Sequence, residues 1–208
     1  MRTLPDAARR RIDLVATPTR PKALHYTGDE AADSLLAEEP LALLIGFALD
    51  QQVPVQWAFS APLKLKERIG DLDPGRIAAM DPAELERAFR EKPALHRFPG
   101  AMAERVQALS RLVADEYDGD AARLWEEAAD ADELRRRIAA LPGYGPMKIK
   151  AFGSVLAKRF GVEAAQALVP NHPTLGDVDS PAALDEYQAK KRAYKASLRS
   201  RSATSAAE

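Results

Sequence analysis

The sequence predicts an all-α fold, and three observations carry the prediction. Apolar residues recur at helical spacing in one segment after another. Helix punctuation is frequent: the chain has 15 Pro and 11 Gly, with Asp-Pro pairs at 73–74 and 81–82 placed as helix starts. Runs of β-branched residues that would mark strands are few. At 208 residues the chain is one or two domains and long enough to bury a sizeable core.

The elements follow in order. Residues 1–22 hold many Arg and Pro residues and little apolar periodicity, and read as a loosely docked arm. Arg9, Arg10 and Arg11 can reach a phosphate backbone, although a solvated basic arm is the plainer reading. Thr27 or Asp29 can cap a helix carrying Ala32, Leu35 and Leu36. Residues 40–51 are apolar all round up to Leu49, which predicts a central buried helix. That helix ends in Asp50-Gln51-Gln52, and after Val53-Pro54 a new helix carries Val55, Trp57, Phe59 and Leu63. Two short helices follow in 73–92, with Ile77, Met80, Leu85 and Phe89 as their apolar set. The loop Ala94-Leu95-His96-Arg97-Phe98-Pro99-Gly100 opens a helix with Met102, Val106, Leu109 and Val113. Tyr117, Leu124 and Trp125 read as core.

The most informative stretch is Leu141-Pro142-Gly143-Tyr144-Gly145-Pro146-Met147-Lys148-Ile149-Lys150-Ala151. A helix over 132–140 carries Leu134, Ile138 and Leu141, and Pro142-Gly143 stops it. Gly143 and Gly145 permit backbone angles that a side chain would forbid. Pro146 suits the first position of a second helix, with Ile149, Phe152, Leu156 and Phe160 on one face. Such a hairpin aims free N–H groups and a helix N-terminus at one point, which suits an anion. Lys148 and Lys150 sit where the helix dipole disfavours cations, and a bound phosphate would reverse that penalty. The plainer reading of Pro-Gly-x-Gly is a sharp corner between two helices. Beyond it lie an Ala-rich segment at 162–168, the loop Val169-Pro170-Asn171-His172-Pro173, and a last helix over 181–199 with a basic face. From Ser200 the Ser/Ala-rich tail is expected to be disordered.

Composition narrows the function. A net charge of −1 means that any nucleic-acid contact must come from a local patch. With no cysteines, disulfides, thiol catalysis and an iron–sulfur cluster held by four cysteines are excluded. The three histidines, His25, His96 and His172, have no metal-ligand spacing, so no metal site is expected. The apolar run 41–49 is too short to span a bilayer and no signal peptide is seen, so a cytoplasmic protein is expected.

Leu-Pro-Gly-x-Gly followed by a small-residue helix resembles the helix-hairpin-helix of the HhH-GPD superfamily of base-excision DNA glycosylases. The apolar helix ending in Gln51-Gln52 strengthens the resemblance, because many relatives carry such a helix ending in Gln-Gln-Thr. Val53 stands where Thr is usual. The two motifs occur in the family's order, about ninety residues apart. The chain looks closest to the small, cysteine-free bacterial branch without an iron–sulfur cluster.

The resemblance implies two all-helical lobes with a base pocket between them. One lobe would take about 40–140, and the other the N-terminal helix plus 141–199. It implies a monomer that binds double-stranded DNA through Gly143, Tyr144, Gly145, Met147, Lys148 and Lys150. A monovalent cation on the hairpin carbonyls would be the one cofactor. Gln51, with Gln52 beside it, would wedge into the duplex. His96 and Arg97, ahead of a helix N-terminus, are further candidates for a DNA contact; a histidine satisfied by a backbone carbonyl is the alternative.

The implied activity is a monofunctional glycosylase that flips a damaged base and hydrolyses its bond to the sugar. Relatives place a catalytic Asp in the loop after the hairpin helix, where this chain has Asn171-His172; Asp177 and Asp179 are the nearest carboxylates. Gly176 would give that loop freedom to turn Asp177 inward. The nucleophilic lysine of bifunctional relatives falls on Met147, with Lys148 one residue off and better suited to phosphate. A DNA-binding protein that kept the hairpin and lost the carboxylate stays open as the alternative.

Overall fold

A computed structural model describes residues 20–205. Among them all regular structure is helical, in ten α-helices and two 3-10 turns. Arg9 to Arg11 lie outside the described residues. Arg20 is within them and pairs with Glu126 at 3.2 Å.

The first helices form by local rules. α1 (Glu30–Glu38) is capped by Asp29, which accepts from the amides of Ala31 and Ala32. α2 (Pro40–Leu49) starts on its proline, and every residue from Leu41 to Leu49 is buried. An all-apolar helix has to be surrounded, and α1, α3 (Val55–Ile69) and α6 (Pro99–Glu116) pack against it. Phe47 of α2 meets Phe59 of α3 and Phe152 of α9 (Pro146–Arg159) edge-on, at 5.1 and 5.2 Å between ring centres. Gly46 makes room for this: a Cβ there would lie 2.6 Å from the Phe59 ring.

Asp73 and Asp81 cap α4 (Pro74–Ala79) and α5 (Pro82–Arg90) as their sequences predict. Both helices pack on α6. The segment after α6 contains α7 (Arg123–Glu126), a single turn too short for periodicity to reveal. Trp125 on it packs edge-on against Phe152 at 5.8 Å. α7 and α8 (Ala131–Ala140) pack with each other, and α8 packs on α9 and on the 3-10 turn Glu163–Leu168. They therefore pack alongside the hairpin helix and the turn that follows it.

Two further expectations change. The second 3-10 turn, Leu175–Asp177, lies on α9, and a Cβ on Gly176 would fall 2.4 Å from the Ser154 carbonyl oxygen. Gly176 is a close-packing residue, not a hinge. Tyr26 donates its hydroxyl to the Leu175 carbonyl at 3.1 Å, tying the N-terminal segment to this turn. α10 (Pro181–Ser205) runs on past Ser200, since no Pro or Gly interrupts 182–205.

Candidate nucleic-acid interface

The hairpin between α8 and α9 is held from three sides. Gly143 has φ +82°, and a Cβ there would come within 2.7 Å of the Arg105 side chain. Glycine is thus required twice, by the backbone angle and by the arginine crossing above it. Arg105 comes from α6 and donates to the side-chain oxygen of Gln51 at 2.8 Å. One guanidinium therefore spans the hairpin and the turn after α2.

Tyr144 points inward. Its hydroxyl donates to the Leu44 carbonyl of α2 at 2.8 Å, its ring meets Phe152 edge-on, and burial pushes its phenol well up. This side chain clamps the hairpin to α2. Gly145 also differs from expectation. At φ −80° and ψ 177° it occupies backbone space open to any residue, and a Cβ there would meet nothing within 4 Å. Its glycine leaves the approach to the α9 N-terminus clear. The first-turn amides of Met147 and Lys148 have no carbonyl one turn back within the helix. Met147 is exposed at 67 %. Lys150 is exposed one step further along.

Lys148 turns back into the cleft. Its ammonium donates to the Ala48 carbonyl near the end of α2 at 3.0 Å and lies 5.8 Å from the centre of the Tyr144 ring. Burial first, and then Arg105, push its pKa down to about 8, while Asp50 acts the other way.

The turn after α2 is braced as closely. Asp50 closes the helix, its amide donating to the carbonyls of Gly46 and Phe47. Gln51 and Gln52 are exposed, and Gln52 sits at φ +58°, a left-handed angle uncommon for a residue with a side chain. His96, 1 % exposed, lies beneath. The Phe98 amide donates to its Nδ1 at 3.1 Å, so Nε2 carries the proton and donates to the Gln51 carbonyl at 3.0 Å. Burial holds the imidazole below its usual range, with Arg105 and Arg97 adding to the effect. The ring is covered and supports the Gln turn. Arg97 is exposed, its guanidinium 4.8 Å from the centre of the Phe98 ring.

α10 packs on the second 3-10 turn. Tyr187 is 6 % exposed and Lys191 lies 5.2 Å from its ring centre. The charge of Asp50 is felt at Lys148, Tyr187 and Lys191. The charge of Asp177 is also felt at Tyr187, and both of the Asp177 oxygens are engaged. One accepts from Lys158 at 2.6 Å; the other takes the Thr174 amide at 2.8 Å and its hydroxyl at 3.2 Å. Burial acts against the charge, but Lys158 and Thr174 outweigh it and hold the carboxyl below its usual range. Asp177 thus forms the capping box of its own 3-10 turn, and Asp179 is exposed beyond it. His172 stacks on Tyr194 at 5.1 Å.

The fold therefore brings Gln51, His96 and Arg105 together with the hairpin and Lys148, while Asp177 lies with Lys158 and Thr174. Sequence reasoning missed Arg105 and Tyr187, which lie on ordinary amphipathic helices without local signature, and read Lys191 as part of the basic face of the last helix. Among the described residues, no group of three or more His, Cys, Asp or Glu could hold a metal ion. A monovalent cation at the hairpin would have only neutral carbonyls. Those of Leu141 and Gly145 already accept the amides of Tyr144 and Ile149, so each keeps one lone pair, which suits weak binding alone. No described helix is long and apolar enough to cross a membrane.

Comparison with known proteins agrees with this geometry. The family profile described as HhH-GPD superfamily base excision DNA repair protein matches residues 45–195. No curated protein and no solved structure matches the chain.

Proposed function

The chain belongs to the HhH-GPD superfamily of base excision DNA repair proteins, and we propose that it is a monofunctional DNA glycosylase. The observation that carries the reading is Arg105. By crossing Gly143 and binding Gln51, it joins the phosphate-facing hairpin and the Gln turn into one rigid unit. In this reading the α9 N-terminus, with Lys150, holds the backbone of the duplex. The Gln51-Gln52 turn enters the stack where a base has left it. The extruded nucleotide then enters the cleft bounded by α2, α9 and α10, where water replaces the base. The protein would act as a cytoplasmic monomer.

The test uses duplexes bearing uracil, alkylated purines, hypoxanthine or 8-oxoguanine. Base release revealed by alkali, with no strand break without alkali, supports the reading. Strand cleavage without alkali would replace it with a lyase, for which the half-buried amine of Lys148 is the candidate. Binding without release from any duplex favours the non-catalytic alternative. One observation speaks for that alternative: the loop after the hairpin helix carries Asn171-His172, and the Asp177 beyond it is spent on a cap.

A further inference from the structure

We propose that the groove between α7 and the start of α8 on one side, and the end of α9 and the 3-10 turn Glu163–Leu168 on the other, is the docking site of the chain's own N-terminal segment, residues 1–19. The groove has a volume of about 1250 Å³. Pockets for small ligands occupy about 300–1,000 Å³, so this one suits a stretch of chain better. Trp125 and Phe160 form its floor, 3 % and 5 % exposed, with 6.3 Å between ring centres. Ala129 on one wall, and Val162, Ala164 and Ala167 on the other, leave apolar surface half or fully exposed. Exposed carboxylates border both walls, Glu126 and Asp130 on the first and Glu163 on the second.

Two observations select the occupant. The described residues begin at Arg20, and Arg20 itself lines the groove, its guanidinium 3.2 Å from Glu126. The segment before it is therefore delivered to this groove. A residue spans at most about 3.5 Å, so Leu14, six residues earlier, stays within about 20 Å of Arg20. The second observation is composition: Arg9-Arg10-Arg11 is followed by Ile12-Asp13-Leu14-Val15. The apolar residues match the floor and walls, and the arginines match the acidic border, a complementarity that fixes register. Glu126 keeps its pair with Arg20 and Asp130 its cap on α8, each through one oxygen, and both stay exposed to a further cation. The groove meets the first residue of α8 and the residue that ends α9, whereas the hairpin joins their other ends. At 1.5 Å per residue, the length of α9 puts roughly 20 Å between the two. A docked arm thus leaves the hairpin open, and its docking stands apart from the base-release chemistry.

The chain has no cysteine, so an engineered pair reports the contact without background. Leu14→Cys is combined with Ala167→Cys in the full chain, and disulfide formation under a mild oxidant is followed on denaturing gels. The same pair is placed in a chain that also carries Ile12→Asp and Val15→Asp, which changes the arm and leaves the groove untouched. The expected result is an intramolecular disulfide that forms about tenfold or more faster with the natural arm, because docking raises the local concentration of the two thiols. Hydrogen exchange over 161–168 gives a second comparison in chains without cysteine, and is expected to be slower with the natural arm than with Ile12→Asp and Val15→Asp. Equal disulfide rates or equal exchange would overturn the proposal, since tethering alone would then account for any encounter. Disulfides that form only between molecules would overturn it as well, and would give the groove to the arm of a second copy.

Discussion

Replacing Lys148 with methionine tests whether the cleft holds a cation at a cost to the fold. The Lys148 pKa falls from an ordinary 10.5 to about 8 on folding. At roughly 1.4 kcal/mol per pH unit, that difference corresponds to about 3 kcal/mol of destabilisation at neutral pH. Two effects reduce it. The side chain is only half-buried, so solvent screens part of the cost, and methionine forfeits the bond to the Ala48 carbonyl, worth about 1 kcal/mol. Lys148→Met should therefore stabilise the protein by about 1–2 kcal/mol at pH 7.

The sign of the pH dependence follows from linkage. Between pH 8 and 10.5 the unfolded lysine is still protonated while the folded one is not. The unfolded state binds more protons there, so wild-type stability rises with pH across that window. The advantage of the variant should be full below pH 8, vanish before pH 10.5 and give way there to a deficit of about 1 kcal/mol from the lost hydrogen bond. Urea unfolding of both proteins from pH 6 to 10 measures it, and groups common to both cancel in the difference. A variant less stable than wild type at pH 7, or an advantage constant across the range, would refute the reasoning. DNA affinity should fall in the same variant.

The other predictions concern neighbouring residues. Gly143→Ala should cost about 1 kcal/mol or more, whereas Gly145→Ala should leave the melting temperature within a degree or two and weaken DNA binding; thermal melts and duplex titrations separate the two glycines. Lys150→Ala should weaken binding evenly across sequences and reduce the slope of log K against log salt by about one. Stability contributed by neutral His96 should be intact above pH 6.5 and lost as the pH falls below it, because the unfolded ring takes up a proton first. Comparing urea midpoints of wild type and His96→Asn from pH 5 to 7 checks this. Gly176→Ala should be the most damaging of the glycine changes, because its Cβ would collide with backbone rather than with a side chain that can move.

The helical architecture was legible because local rules and burial agree along most of the chain. Asp29, Asp73 and Asp81 cap the helices they precede, and the apolar run from Leu41 to Leu49 is buried throughout. The limits of legibility lie in side-chain direction. Tyr144 sits between two glycines in a motif that reads as a DNA contact, yet its ring serves the core, because Leu44 offers a carbonyl one hundred residues away in sequence. The same distance separates Lys148 from Ala48. Neither pairing leaves a trace in local spacing. Gly176 shows the converse: a glycine before an aspartate reads as freedom, and only the nearness of Ser154 makes it a contact.

Where the chain breaks local rules, the breaches gather at one mouth. Lys148 puts a cation into the first turn of a helix and half buries it. Gln52 holds a left-handed angle without being glycine. Gly145 is a glycine whose backbone angles ask for none, beside an open approach. Asp118 is also left-handed, but aspartate tolerates that angle in a turn, and it closes α6 far along the chain from these residues. Strain that a fold does not need for its own stability persists where surrounding contacts over-determine it. Here Arg105 and His96 supply those contacts, each from a different element, and both act on Gln51. Removing either brace should therefore let Gln52 relax to an ordinary angle, and the loss should appear in discrimination between intact and abasic duplex before it appears in melting temperature. Equal loss of affinity for both duplexes in Arg105→Ala and His96→Ala would mean that the turn supports the fold alone.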